Sequence, residues 1–110
     1  MALHHAASGE IINVRPLGEK LKDDTSRALF RSEHLEVLRM VLPAGKTVPP
    51  HEVAGELTAQ CIEGRIEFNA AGAIHELRQG DLICLTGCED YSIKALEDSS
   101  CLVSIVLHVA

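Results

Sequence analysis

Residues 45–64 read GKTVPPHEVAGELTAQCIEG. Gly45 opens a turn, His51 sits in a short extended segment, and Gly55 breaks the run. An apolar strand then leads from Leu57 to Ile62, and Glu63 and Gly64 make the next turn. Glycine at such points supplies backbone conformations that other residues resist. The pattern is strand, glycine turn, strand, and the rest of the chain repeats it.

Arg65–Asn69 alternates, with Ile66 and Phe68 on one side. After a turn at 70–72 comes a strand at Ala73–Leu77, then a second turn at 78–81. Leu82–Leu85 reads as a short buried strand and residues 86–90 as irregular. Tyr91–Leu96 alternates again, and Cys101–Val109 is a long apolar strand. Short strands at this spacing, with Gly and Asp between them, predict an all-β antiparallel sandwich or barrel.

Upstream, Ser26–Arg31 and Leu35–Leu42 read as two further strands. Ala28, Leu29, Glu36, Leu38 and Arg39 would also suit a helix. The stop at Pro43 and Gly45, and the β pattern beyond it, favour strands. Alternation puts Val37, Arg39 and Val41 on one face and Leu38, Met40 and Leu42 on the other. Arg39 interrupts an apolar face. It is either an ion-pair partner at a rim or interface, or a lumen charge for an anionic ligand. Glu10–Arg15 is β-prone and ends at Pro16, as a strand does. Residues 17–25 are charged and read as a loop or one irregular helical turn. His4 and His5 lie on a terminal segment and are read as solvated.

A chain of 110 residues with 46% hydrophobic content is long and apolar enough for one core. It reads as one domain, 1–110, with an N-terminal arm at 1–25 and a barrel over about 35–108. The net charge of −6 argues against nucleic acid or an anionic membrane as partner. Cys61, Cys84, Cys88 and Cys101 form no CxxC pair. Three of them lie in apolar runs, where free cysteine behaves as a small hydrophobe. No leader is expected, and no apolar run reaches the roughly 18 residues a membrane helix needs. A reducing cytoplasm is the expected location.

The turns and their spacing resemble those of the cupins, small jelly-roll barrels built as a double-stranded β-helix. That family's first motif is a glycine, five residues, His, one residue, His, three or four residues, Glu, six residues, Gly. Here Gly45, His51, Val53, Leu57 and Gly64 fall at those positions. The second motif is a glycine, five residues, Pro, one residue, Gly, two residues, His, three residues, Asn. Here Gly80, Thr86, Cys88, Tyr91 and Ala95 fall there. The resemblance implies the fold and, in most members, a metal held by three histidines and a glutamate. Of those four ligand positions this chain keeps only His51. Val53 and Leu57 cannot bind a cation, and a protonated Tyr91 is a poor ligand. Glu56 lies one place from the glutamate position. A single step turns a strand side chain to the other face, unless Gly55 permits a bulge.

Two functions follow from the resemblance. The first is a metal-free module binding a small molecule in a lumen lined by His51, Val53, Leu57, Ala59, Tyr91 and Ile93, with Arg39 as a possible anion contact. The second is an enzyme. It would be either a metal-dependent oxygenase or isomerase with a divalent transition metal on His51 and Glu56, or a metal-free acid–base catalyst. In the latter His51 and Tyr91 face each other across the barrel mouth and share the proton transfers. A homodimer is expected, through the two-sided apolar strands at 35–42 and 101–109 or by exchange of residues 10–15.

Overall fold

The computed structural model describes residues 5–53, 55–70, 72–87 and 89–107, and for residues 50–53 and 89 it describes the backbone alone. A 3-10 helix at Gly18–Asp23 precedes nine described strands: β1 Arg27–Arg31, β2 Leu35–Leu42, β3 Thr47–Val53, β4 Leu57–Glu63, β5 Arg65–Ala70, β6 Ala73–Arg78, β7 Leu82–Leu85, β8 Glu89–Ala95 and β9 Ser99–Val106. They form a five-stranded sheet, β1-β2-β9-β4-β7, and a four-stranded sheet, β3-β8-β5-β6, antiparallel throughout. This is the antiparallel two-sheet arrangement that the strand spacing predicts, and the jelly roll that the resemblance implies.

The core lies between the sheets. β4 contributes Leu57, Ala59 and Cys61, β5 contributes Ile66, Phe68 and Ala70, and β8 contributes Tyr91, Ile93 and Ala95. β9 adds Cys101 and Val103. Each set takes alternate positions, as a strand with one buried face requires. On β2 the inward residues are Leu38, Met40 and Leu42, so Arg39 lies on the outer face.

Gly64 shows why a glycine closes the β4–β5 turn. Its φ is +83°, and an added Cβ would lie 2.2 Å from Ser99 Oγ and 2.4 Å from the Asp98 carbonyl. Ser99 Oγ occupies that space because it donates to the Glu97 carbonyl at 2.7 Å and accepts from the Arg65 N–H at 3.1 Å. Turn and side chain fit only if residue 64 has no β-carbon.

Three expectations are corrected. Residues 10–15 form no strand, and Ile11 is 93% exposed. The segment is an irregular arm, because β1 already forms the edge next to β2 and the apolar residues of the arm find no ladder. The strand β7 is not buried: Leu82 is 57% exposed and Cys84 is exposed. It is an edge strand with only Ile83 and Leu85 turned inward, so half of its apolar run faces out. The third concerns Arg39, which lies on the face of β2 opposite inward Leu38, Met40 and Leu42.

Candidate functional site

The two motif positions that keep polar groups meet in one ladder. β3 pairs with β8, and His51 is the direct register partner of Tyr91. They are neighbours on adjacent strands, not opposite walls of the mouth. A register shift between Val48 and His51 gives them this alignment. The side chains of His51 and Val53 lie outside the described residues, as does Cys88.

Tyr91 points into the barrel and is 1% exposed. Its ring stacks on Phe68, with centroids 5.3 Å apart and planes 2° from parallel. Burial raises the phenol pKa above its usual value, and neighbouring Cys101 pushes the same way. A phenol held in this way stays protonated at neutral pH and is a weak ligand for a cation.

Leu57, Ala59 and Ile93, expected to line the lumen, do point inward. Each is 1% exposed or less, packed in the core cluster with Tyr91. The interior at this level is therefore filled by side chains. Glu56 is exposed and lies just before β4, one step from Leu57. The bulge of β4 falls between Cys61 and Glu63, not at Gly55, so nothing turns Glu56 inward. Among the described residues no group of three His, Cys, Asp or Glu side chains is placed to hold a metal. The donor set does not fit the four-ligand cage that the resemblance implies: Leu57 is apolar and packed, Tyr91 is a protonated phenol, and Glu56 faces solvent.

Arg39 is not a lumen charge. It lies on the outer face of the five-stranded sheet, 3% exposed. There it belongs to a buried polar cluster that the sequence reading missed. Arg39 Nη2 donates to the Arg15 carbonyl at 2.9 Å. Glu63 accepts from the N–H of Leu17 at 2.8 Å and of Gly18 at 3.0 Å, and from Ser100 Oγ at 2.5 Å. Burial raises the Glu63 pKa, but these hydrogen bonds and the Arg39 charge outweigh it and hold the carboxyl below its usual value. Burial lowers the Arg39 pKa, opposed chiefly by Glu63. The cluster clips residues 15–18 of the arm onto the sheet. The β4 bulge is what turns Glu63 outward, opposite Ser100. Strand parity alone would have put Glu63 inside with Cys61, so simple alternation gave no signal.

A groove of about 480 Å³ lies on the outer face of the four-stranded sheet. Thr47, Glu67, Asn69, Ile74, Ser92 and Lys94 line it. Glu67 and Asn69 alternate with buried Ile66, Phe68 and Ala70, and the groove's lining also includes Val48 and the core residue Ile93.

Comparison with known proteins finds no matching family model and no matching curated protein. Solved structures do match. A conserved protein of unknown function from Streptococcus pyogenes is similar at 18% identity and a TM-score of 0.76, covering 100% of both chains. A cupin superfamily protein from Desulfitobacterium hafniense is similar at 15% identity and 0.75, over 89% of this chain and 95% of that one. KdgF from a Halomonas species is similar at 17% identity and 0.69, over 76% and 78%. With its two antiparallel sheets, and its glycine turns at cupin spacing, the chain has the jelly-roll fold seen in solved RmlC-like cupins.

Proposed function

We propose that this protein is a metal-independent binding module. Its small-molecule ligand is held at the barrel mouth, where β3 and β8 bring residues 51 and 91 into register. One observation carries the reading: the space behind that point is closed by Tyr91 stacked on Phe68. A ligand there meets an apolar floor formed by Leu57, Tyr91 and Ile93. Among the described residues it meets no cage of imidazoles and carboxylates. Such a floor suits a modest apolar or weakly polar molecule with one hydrogen-bonding group for His51.

The test is elemental analysis of protein purified without chelator, alongside a thermal-shift screen of small organic molecules. Metal content well below one per chain is expected, together with a hit whose shift disappears in His51→Ala. A stoichiometric transition metal that is lost in His51→Ala would overturn the proposal.

A second reading is a metal-free acid–base catalyst. It draws on the same pairing of His51 with Tyr91. The buried phenol, with its raised pKa, suits only the acid role. Turnover of a bound ligand that Tyr91→Phe abolishes, while binding persists, would establish it over the first.

Two further points belong to this proposal. A homodimer is supported by exposed Ile74 on β6 and Leu82 on β7, both on edge strands. A monomeric mass by sedimentation would remove it. A reducing cytoplasm is supported by the unbridged thiols of Cys61, Cys84 and Cys101. No helix among the described residues is long and apolar enough to cross a membrane.

A further inference from the structure

We propose that Cys61 and Cys101 form a redox-active pair that closes into a cross-strand disulfide between β4 and β9. The two residues are direct register partners on the central strands of the five-stranded sheet. Both are free thiols with 0% exposure.

Direct partners in an antiparallel ladder alternate between two kinds. The non-hydrogen-bonded kind brings the Cα atoms to about 4.5 Å and the side chains closest together. Cys61 and Cys101 are of this kind. The Cys61 N–H donates to the Asp81 carbonyl at 3.0 Å, and the Cys61 carbonyl accepts from the Gly80 N–H at 2.8 Å. Both main-chain groups therefore turn toward the β7 side, away from β9. The phase is fixed again at the far end of the ladder, where the Val106 N–H donates to the Glu56 carbonyl at 2.9 Å. Counting inward from that bond, Leu57 with Ile105, Ala59 with Val103 and Cys61 with Cys101 all take non-hydrogen-bonded positions.

A disulfide spans Cα atoms about 4.4–6.8 Å apart. The register meets that requirement without moving a strand. Cys84 is no competitor for either thiol: it is exposed, and its register partner on β4 is Thr58. Burial pushes the Cys61 thiol up to about 11, with Asp81 adding to it. Burial pushes Cys101 up to about 12, with Cys61 adding to it. Both are therefore protonated at neutral pH and react slowly with oxidants.

The co-reactant is a peroxide. Cys61 gives up its proton, its thiolate Sγ attacks one oxygen of hydrogen peroxide, the O–O bond breaks, and the departing hydroxide takes up a proton as water while a sulfenic acid forms. Cys101 Sγ then attacks the Cys61 sulfur, the S–O bond breaks, and the S–S bond forms with release of a second water. Two thiols and one peroxide give one disulfide and two waters. The bridge encloses the 39 residues from Ile62 to Ser100. Closing a loop of that length restricts the unfolded chain, so the oxidised form resists unfolding.

The test treats the full chain with hydrogen peroxide, alkylates the remaining thiols in denaturant, and digests with trypsin without reduction. Cys61 and Cys101 fall on peptides 47–65 and 95–110, while Cys84 and Cys88 share 79–94. The expected result is a 47–65 to 95–110 link that dithiothreitol removes, with the melting temperature raised by about 10 °C. Cys101→Ala should show neither. Cys61→Ala serves the same purpose where that variant does not fold, and the wild-type peptide map needs no variant. Recovery of Cys61 and Cys101 as alkylated thiols, or of links made only by peptide 79–94, overturns the proposal.

Discussion

The two faces of the five-stranded sheet have exchanged roles relative to what a ligand-binding barrel suggests. The inner face, where a polar site is sought, presents Leu57, Ala59, Cys61, Cys101 and Val103, all buried and closely packed. The outer face, where solvent is expected, carries the buried charges Arg39 and Glu63 with Ser100 beneath the arm. The contrast separates burial of charge from function. Here the buried charge holds the chain to itself, while the inner face of the same sheet is apolar.

The strongest way to break this comparison is to empty the core that the inner face packs against, from the opposite sheet. Tyr91→Ala removes a ring that is 1% exposed and stacked on Phe68. It should cost about 4 kcal/mol by urea denaturation. A loss below about 1 kcal/mol would mean that the ring is not core, and would reopen the lumen as a ligand space. On the outer face, Glu63→Ala leaves Arg39 buried without its counter-charge and frees two backbone N–H groups. About 3 kcal/mol of stability should be lost. Trypsin should then cut at Lys20 and Lys22 much faster than in the parent chain. If stability falls while those sites stay protected, the cluster does not hold the arm.

Acid sharpens the same contrast. The folded-state pKa of Glu63 is depressed, so its contribution is present above the unfolded carboxylate value and is lost as pH falls through the folded one. Arm cleavage by an acid-active protease should rise below about pH 4, the ordinary carboxylate range. In Glu63→Gln this rise should be absent. The smallest effect is expected for Tyr91→Phe, which keeps the stacked ring and removes only the hydroxyl. A change of at most about 1 kcal/mol is expected. A greater loss would show that the hydroxyl holds the mouth together.

Much of the fold was legible because alternation and glycine turns are local signals. β2, β4, β5 and β6 begin where the pattern places them. Motif spacing brought His51 and Tyr91 together but set them across the mouth, whereas they are register partners on adjacent strands, because spacing does not say which strands pair. The arm was misread because Ile11, Ile12 and Val14 carry β propensity, and propensity does not supply a partner strand. Arg39 was assigned the correct face-mates, but both faces of β2 are apolar, so nothing local says which one is inside. Glu63 was hidden by a bulge, which reverses parity by one residue and leaves no composition signal. Leu82 and Cys84 were read as buried because edge position is a property of the whole sheet.

β9 comes after every other strand in the chain, yet it lies between β2 and β4. During synthesis those two strands leave the ribosome long before the one that joins them. Until residues 99–106 emerge, both present open edges with apolar inner faces. Assembly of this sheet therefore waits on residues 99–106, and until they emerge the edges of β2 and β4 stay open to chaperone binding or aggregation.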